Sequence, residues 1–477
     1  MQSVSKRGVL LLVCTVLLAV DADAQSVIPG PGATGGGGPT LRKAGQTPPQ
    51  QVTGELVGFI CPPGNILGAN LQNRCNEIAT EILGTGGDLA GALAGLQAMA
   101  PEENSAVQTS DVDASQARGQ DVRDRLEQRR DECNDPQSRQ RNGRECGDKR
   151  SAFNVTVDGQ RLSATELLGA TGGGASADSF GTGPWGVFLN GNFGITNKDS
   201  SARETGFHMN SYGVNGGVDY RFDQSLLGVS IGYTTQDADL KANSGKLNSD
   251  AVTVSLYGSY YPSPQSYVNA IFSYTNTDHD QKRNIAYTIN SFLGTSVINQ
   301  VASSSTNSDE VAGSLEAGYD FLRNDWTITP YARLDIADTN IDGYTESLSA
   351  PAAGTVASGM ALQLDGQSFT SVTTAFGGRL GTVVSAAKFD VYPQIGAEYV
   401  HEFDNDNKDT RARLVDDTSG STFLLPTDKP DRDYGNVSAG LTADFRNGWY
   451  GHVQYQGLVG YKDLDVHVLE IGARLQF

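Results

Sequence analysis

From Trp185 to Phe477 apolar residues recur at every second position, in segments separated by alternately short and long polar links. In AVTVSLYGSYY (251–261), Val252, Val254, Leu256 and Tyr260 share a face. In LLGVSIGYTT (226–235), Leu227, Val229, Ile231 and Tyr233 do the same. A period of two marks a β-strand with one apolar and one polar face. Comparable segments lie at 187–196, 212–222, 267–275, 311–321, 326–336 and about 368–384, 388–403, 434–446, 448–459 and 465–477. That makes roughly twelve strands. The links after even-numbered strands are short: Asp223-Gln224, the prolines around Ser263, Arg323-Asn324, Ala386-Ala387 and Arg446-Asn447. After most odd-numbered strands they are long and polar, above all 276–308, 338–366 and 404–432. Short turns on one rim and long loops on the other, with an even strand number, describe a transmembrane β-barrel. The expected fold is therefore all-β, a transmembrane barrel of about 12 antiparallel strands over 185–477. A short, mostly helical and partly disordered N-terminal region precedes it.

The polar faces carry charge of both signs. Asp219, Arg221, Glu316, Asp320, Arg333, Asp335, Arg379, Glu398, Glu470 and Arg474 alternate with apolar neighbours. Such charges are costly on lipid, about 2–4 kcal/mol each for the basic ones near the midplane, so all are expected to face a polar lumen. In the last strand Leu469, Ile471, Ala473, Leu475 and Phe477 form the other face. That strand is expected to pair with the first, which removes both sheet edges and sets the ring of Phe477 at the membrane interface.

The N-terminal region is different. Lys6 and Arg7 precede an uncharged run, Gly8 to Val20, and an Ala-Asp-Ala site ends at Ala24. This reads as a secretory signal peptide over 1–24. No other segment is long and apolar enough for a helical span. A net charge of −20 argues against nucleic acid as a partner. Low mean hydropathy, −0.34, does not exclude a barrel. Residues 25–54, rich in Gly, Pro, Thr and Gln, read as a low-complexity linker. Residues 55–150 read as a short helical region with two cysteine pairs, expected to be the disulfides Cys61–Cys75 and Cys133–Cys146 in an exported chain. Its second helix, following Pro101, is polar almost all round, with Val122, Leu126 and Arg129 as its best stripe. Such a helix wants a partner or a polar channel. Residues 151–184 carry a capping box, Ser163 with Glu166, and a Gly-rich tail leading to the first strand.

The machinery of catalysis is sparse. His208, His279, His401, His452 and His467 all lie in the barrel region, so no Ser-His-Asp or Cys-His site can form within 25–150. The acidic loop FDNDNKDTR (403–411) breaks the EF-hand pattern at Lys408 and Val415. No catalytic site, metal site or cofactor is expected, and the chain is not expected to be an enzyme.

WGVFLNGNFG, GGVDYRF, LLGVSIGY and the terminal IGARLQF resemble the β-domain of autotransporters, the translocators of type V secretion, over roughly 185–477. The stretch 96–130 also resembles the helix that precedes the barrel in some members. The resemblance implies an outer-membrane translocator barrel that anchors and displays or exports its own N-terminal region. It makes 25–150 the passenger and 151–184 the pore linker. It also implies a monomeric barrel in a Gram-negative outer membrane. Its partners would be lipid and lipopolysaccharide, the Sec export machinery and the barrel assembly machinery, which reads the terminal aromatic strand. No Asn-Asn pair of the kind at which some members cleave themselves stands near the linker. The alternative is a porin-like channel whose N-terminal region is periplasmic or a plug.

Overall fold

The computed structural model describes residues 27–28, 38–62, 67–84, 87–101, 104–134, 155–157, 160–162, 184–291, 294–386, 388–404, 409–425, 427–445 and 449–476. The proposed signal peptide, the Ser163–Leu168 helix, the side chain of Cys133, Cys146 and Phe477 lie outside them.

Twelve antiparallel strands close into a barrel. They are β1 (Trp185–Lys198), β2 (Phe207–Arg221), β3 (Ser225–Leu240), β4 (Gly245–Ser263), β5 (Ser266–Ser291) and β6 (Gly294–Tyr319). The second half is β7 (Trp326–Ile341), β8 (Gln367–Thr382), β9 (Asp390–Glu402), β10 (Asp433–Asp444), β11 (Trp449–Val459) and β12 (Leu464–Gln476). Neighbours in sequence are neighbours in the sheet, and β12 returns to β1 with Leu464 opposite Lys198 and Gln476 opposite Gly186. Closure leaves no edge of the barrel wall unpaired. The outward face carries the apolar set: Leu189, Ile231, Leu256, Phe376, Ile395 and Ile471 are all at least 55% exposed. In a water-soluble sheet these residues would be the core. Here they form an apolar band, with Trp185, Phe222, Tyr260, Phe321, Trp326 and Trp449 on the outside near the short-turn rim. Aromatic rings gather at that level in transmembrane barrels.

Inward, large rings from one strand lie over glycines of the next. Tyr257 stands opposite Gly228 and Tyr267 opposite Gly318 in the strand register. A Cβ at either glycine would overlap the facing ring. These rings, with Phe188, Leu226, Tyr261 and Ile271, line the lumen near the short-turn rim.

One expectation fails at the β5–β6 connection. Residues 276–308 are not a loop but the continuation of two 26-residue strands, joined at 292–293. At about 3.3 Å per residue each strand is near 85 Å long, far beyond the 9–11 residues that cross a bilayer. The hairpin therefore projects well past the long-loop rim. Its period was masked because both faces are polar there, with Asp278, Asp280 and Lys282 outward and Thr277, His279 and Gln281 inward.

The N-terminal region folds onto this projection. Helices α1 (Gly38–Arg42), α2 (Pro48–Ile60), α3 (Ala69–Leu83) and α4 (Leu89–Gln97) pack with the hairpin and with the loops between β7 and β8 and between β9 and β10. Helix α2 starts inside the stretch expected to be linker. Thr47 accepts the amide of Gln50, and the Gln50 side chain accepts the amide of Thr47, a capping box followed by Pro48 and Pro49. Cys61 and Cys75 form a disulfide between α2 and α3. A five-stranded sheet crosses the top, in the order Val27–Ile28, Thr422–Leu425, Thr410–Leu414, Leu362–Leu364 and Tyr344–Thr345.

Candidate functional site: an occupied lumen

Helix α5 (Asn104–Asn134) runs through the barrel. At 1.5 Å per residue its 31 residues span about 46 Å, enough to cross a membrane inside the pore. Its direction follows from its contacts. Near its start, Ala106 and Val107 pack with Phe207, Leu240, Leu247 and Ile341, which sit at the long-loop ends of β2, β3, β4 and β7. Near its end, Val122 and Leu126 pack with Phe188, Leu226, Tyr257 and Tyr267 at the short-turn ends of β1, β3, β4 and β5. The helix therefore connects the N-terminal helices at one rim to the opposite rim, where β1 begins.

The sequence expectation put the pore linker at 151–184. The helix found in the lumen lies upstream, in the region assigned to the passenger. A polar helix is a poor surface element, but a lumen lined with polar and charged side chains supplies it with partners. The stripe meets the barrel wall, Val122 and Leu126 on Phe188, Leu226, Tyr257 and Tyr267, and Arg129 on Asp219.

Near the long-loop rim the helix is held mainly by hydrogen bonds. Ser110 donates to Gln236 at 2.5 Å, and the Gln236 amide returns a bond to the Ser110 carbonyl at 3.2 Å. Asp111 accepts from Ser308 at 2.7 Å and lies 3.2 Å from Nε2 of His279, whose Nδ1 meets Ser249 at 2.8 Å. This brings Ser, His and Asp together from four elements, a combination the N-terminal region cannot supply alone. All of these side chains are buried, so the group is a helix anchor and not an open active site.

Midway, Asn192 donates to Asp121 at 3.1 Å, and further toward the short-turn rim Gln394 donates to Glu127 at 2.6 Å. Arg379 pairs with Glu127 at 3.2 Å and with Glu316 at 3.1 Å. Arg333 grips Glu398 with two parallel bonds of 2.8 and 2.9 Å and reaches Asp335 at 2.7 Å. Arg123 of the helix approaches Asp335 at 3.8 Å. Glu470 accepts from Asn190 at 2.9 Å and meets His452 at 2.7 Å. Arg474 stacks over the Tyr450 ring at 3.9 Å. On the β7–β11 side of the helix a polar cavity of about 20 Å³ remains, walled by Gln120, Tyr331, Gln394, Asn436 and Gln454. That is about the room one water needs.

Near the short-turn rim the contacts are ionic. Arg125 reaches Asp219 at 2.6 Å and Arg129 reaches it at 3.0 Å, with all three side chains at most 1% exposed. Arg130 pairs with Asp320 at 3.1 Å and lies 4.1 Å above the Tyr267 ring. Arg221 donates to the carbonyl of Arg129, and Arg129 to that of Pro184, the residue before β1. The structure thus places all ten charged residues singled out from the sequence on the inner wall. Asp219, Arg221, Asp320, Asp335 and Arg379 touch α5 directly, while Glu316, Arg333 and Glu398 hold one another in place. On the partner side, sequence reasoning singled out Arg129 but missed Arg125 and Arg130 in VRDRLEQRR. Their i, i+4, i+5 spacing was the available signal.

Leu469, Ile471, Ala473 and Leu475 are on β12, with Leu469 and Ile471 exposed to the outside. Among the described residues no group of three or more His, Cys, Asp or Glu is arranged to hold a metal ion.

The family described as "Autotransporter beta-domain" matches residues 187–456. The uncharacterized protein YaiT of Escherichia coli strain K12 is 26% identical over 287 residues, which is 59% of this chain and 26% of that protein. The chain therefore spans about a quarter of the length of this curated relative. The translocator domain of the autotransporter NalP from Neisseria meningitidis is 16% identical, with a TM-score of 0.47, over 63% of this chain and 91% of that one. The β-domain of the Bordetella autotransporter BrkA is 17% identical, with a TM-score of 0.43, over 62% of this chain and all of that one.

Proposed function

This chain belongs to the autotransporter β-domain family, and on that premise we propose that its barrel conveys the N-terminal region outward through its own lumen and holds it at the cell surface. The observation that carries the reading is the course of α5. It links the helices beyond the long-loop rim to the rim where β1 begins, through a lumen whose charges match its own. This course supports an N-terminal region that has passed outward, with its last helix left in the pore as a plug. A porin-like channel is not favoured, because the helix fills the space that solute would use.

The reading includes a Gram-negative outer membrane, with lipid and lipopolysaccharide against the apolar band. It also includes export by the Sec machinery, insertion by the barrel assembly machinery and a monomeric barrel. The proposed activity is anchoring and display, without catalysis. The test is antibody binding to residues 38–101 on intact cells expressing the full chain. Binding without permeabilisation is expected. Binding only after the outer membrane is opened would reverse the orientation and defeat the reading.

A further inference from the structure

The helices beyond the rim do not form a domain of their own. Their apolar core is contiguous with residues from the barrel, and about half of it is supplied by them. On β5 the inward face is polar through Thr275, Thr277, His279 and Gln281. It then turns apolar at Ile285, Tyr287 and Ile289, where the strand has left the barrel. The loop strands repeat the pattern with Leu362 and Leu364, Ala412 and Leu414, and Phe423 and Leu425. Leu56, Ile60, Ile78 and Leu96 of the helices, each fully buried, close over this surface.

The polar contacts fasten the same seam. Arg283 makes a buried bidentate pair with Glu346 and donates to the carbonyls of Ala98 after α4 and Met360 in the loop. Asp88 caps α4 through the amide of Gly91 and also accepts from the amide and side chain of Asn290 on β5. Arg74 of α3 donates to the carbonyl of Ala357 at 3.1 Å. A segment near 60 residues is only marginally stable even with a complete core. This one lacks half of its core until it meets the loops.

We propose that the projecting β5–β6 hairpin and the β7–β8 and β9–β10 loops are the folding template for residues 38–101, which become structured only by docking there and remain as a fixed lid. The partner of this apolar surface beyond the rim is thus the chain's own N-terminal segment, not a released passenger. The inference rests on the display reading above.

The test is made on the full chain, with Phe423→Asp and, as a milder change, Leu364→Ala. Both residues are buried in the loop sheet, hundreds of residues from the lid in sequence. Proteolysis of residues 38–101 on intact cells is expected to quicken at least tenfold in Phe423→Asp and detectably in Leu364→Ala. Antibody binding to the segment and heat-modifiable migration of the barrel are expected to stay as in the unaltered protein. Unchanged proteolysis in both variants would show that the segment folds independently and would overturn the template. Failure of the antibody to reach the segment in the unaltered protein would defeat the display reading instead. Hydrogen exchange of the unaltered protein gives an answer even if the variants fail to assemble. The amides of α2, α3 and α4 should open together with those of 362–364, 410–414 and 422–425. Separate opening would count against the proposal.

Discussion

Asp219→Asn should loosen the lower end of the plug. The Asp219 carboxylate is enclosed between Arg125 and Arg129 of the helix, with the Tyr257 hydroxyl donating to it at 3.4 Å. Removing one partner of a buried ion pair costs about 3–5 kcal/mol, largely because the remaining charge stays buried and unpaired. At 1.4 kcal/mol per tenfold, this shifts the balance between docked and undocked helix ends by roughly a hundred- to several thousand-fold. The shift is local, because Arg130–Asp320 and Ser110–Gln236 still hold the helix. The assay is single-channel conductance of the full chain in planar bilayers. The unaltered barrel should reside in a closed or low-conductance level, and Asp219→Asn should show frequent opening to a larger one. Adding Arg125→Gln and Arg129→Gln should recover part of the closed time, since no unpaired buried charge then remains. Unchanged traces from a fully assembled Asp219→Asn barrel would refute the argument that this ion group holds the helix.

Two further outcomes follow from the same geometry. Gly228→Ala should cost about 1–3 kcal/mol of barrel stability through overlap with the Tyr257 ring, read as a lower temperature of heat-modifiable unfolding, whereas Gly313→Ala, with open space at its Cβ, should cost much less. The Asp88 carboxyl is held below the usual aspartate range, first by the amide of Gly91 and then by that of Asn290. A depressed value stabilises the docked lid above the ordinary aspartate pKa, and that contribution is lost as pH falls through the depressed value. Protection of the α4 amides against exchange should therefore drop in acid, and Asp88→Asn should remove that component of the drop.

The barrel was legible in the sequence because a lipid-facing strand has one obligatory apolar face, which survives as a period of two from Leu227 to Leu475. Strand number followed from counting the segments that carry that period, and the alternation of turns and loops made them a barrel. The projecting half of the β5–β6 hairpin was not legible, because it needs no lipid-facing residues and both its faces are polar until Ile285. Helix α2 was hidden by local composition: Pro48, Pro49, Gln50 and Gln51 resemble linker unless Thr47 and Gln50 are seen as a capping box. The inner charges were legible as a class, since lipid excludes them. Their partners were not, because a polar helix has no period that announces a polar channel, and the complementary residues lie about 90 to 270 positions away in the chain. The lid was illegible for a related reason. Its core is divided among four distant stretches, none of which is apolar enough to stand out.

The central claim is that α5 occupies the lumen with its start at the long-loop rim and its end at the short-turn rim. Paired cysteines test it directly in outer membranes containing the full chain. Ser110→Cys with Gln236→Cys should crosslink at the first rim, and Glu127→Cys with Gln394→Cys nearer the second, because these pairs lie in hydrogen-bond contact at 2.5 and 2.6 Å. The exchanged pairs, Ser110→Cys with Gln394→Cys and Glu127→Cys with Gln236→Cys, should not. Crosslinking of the exchanged pairs, or of none while cysteines across adjacent strands do react, would contradict the account.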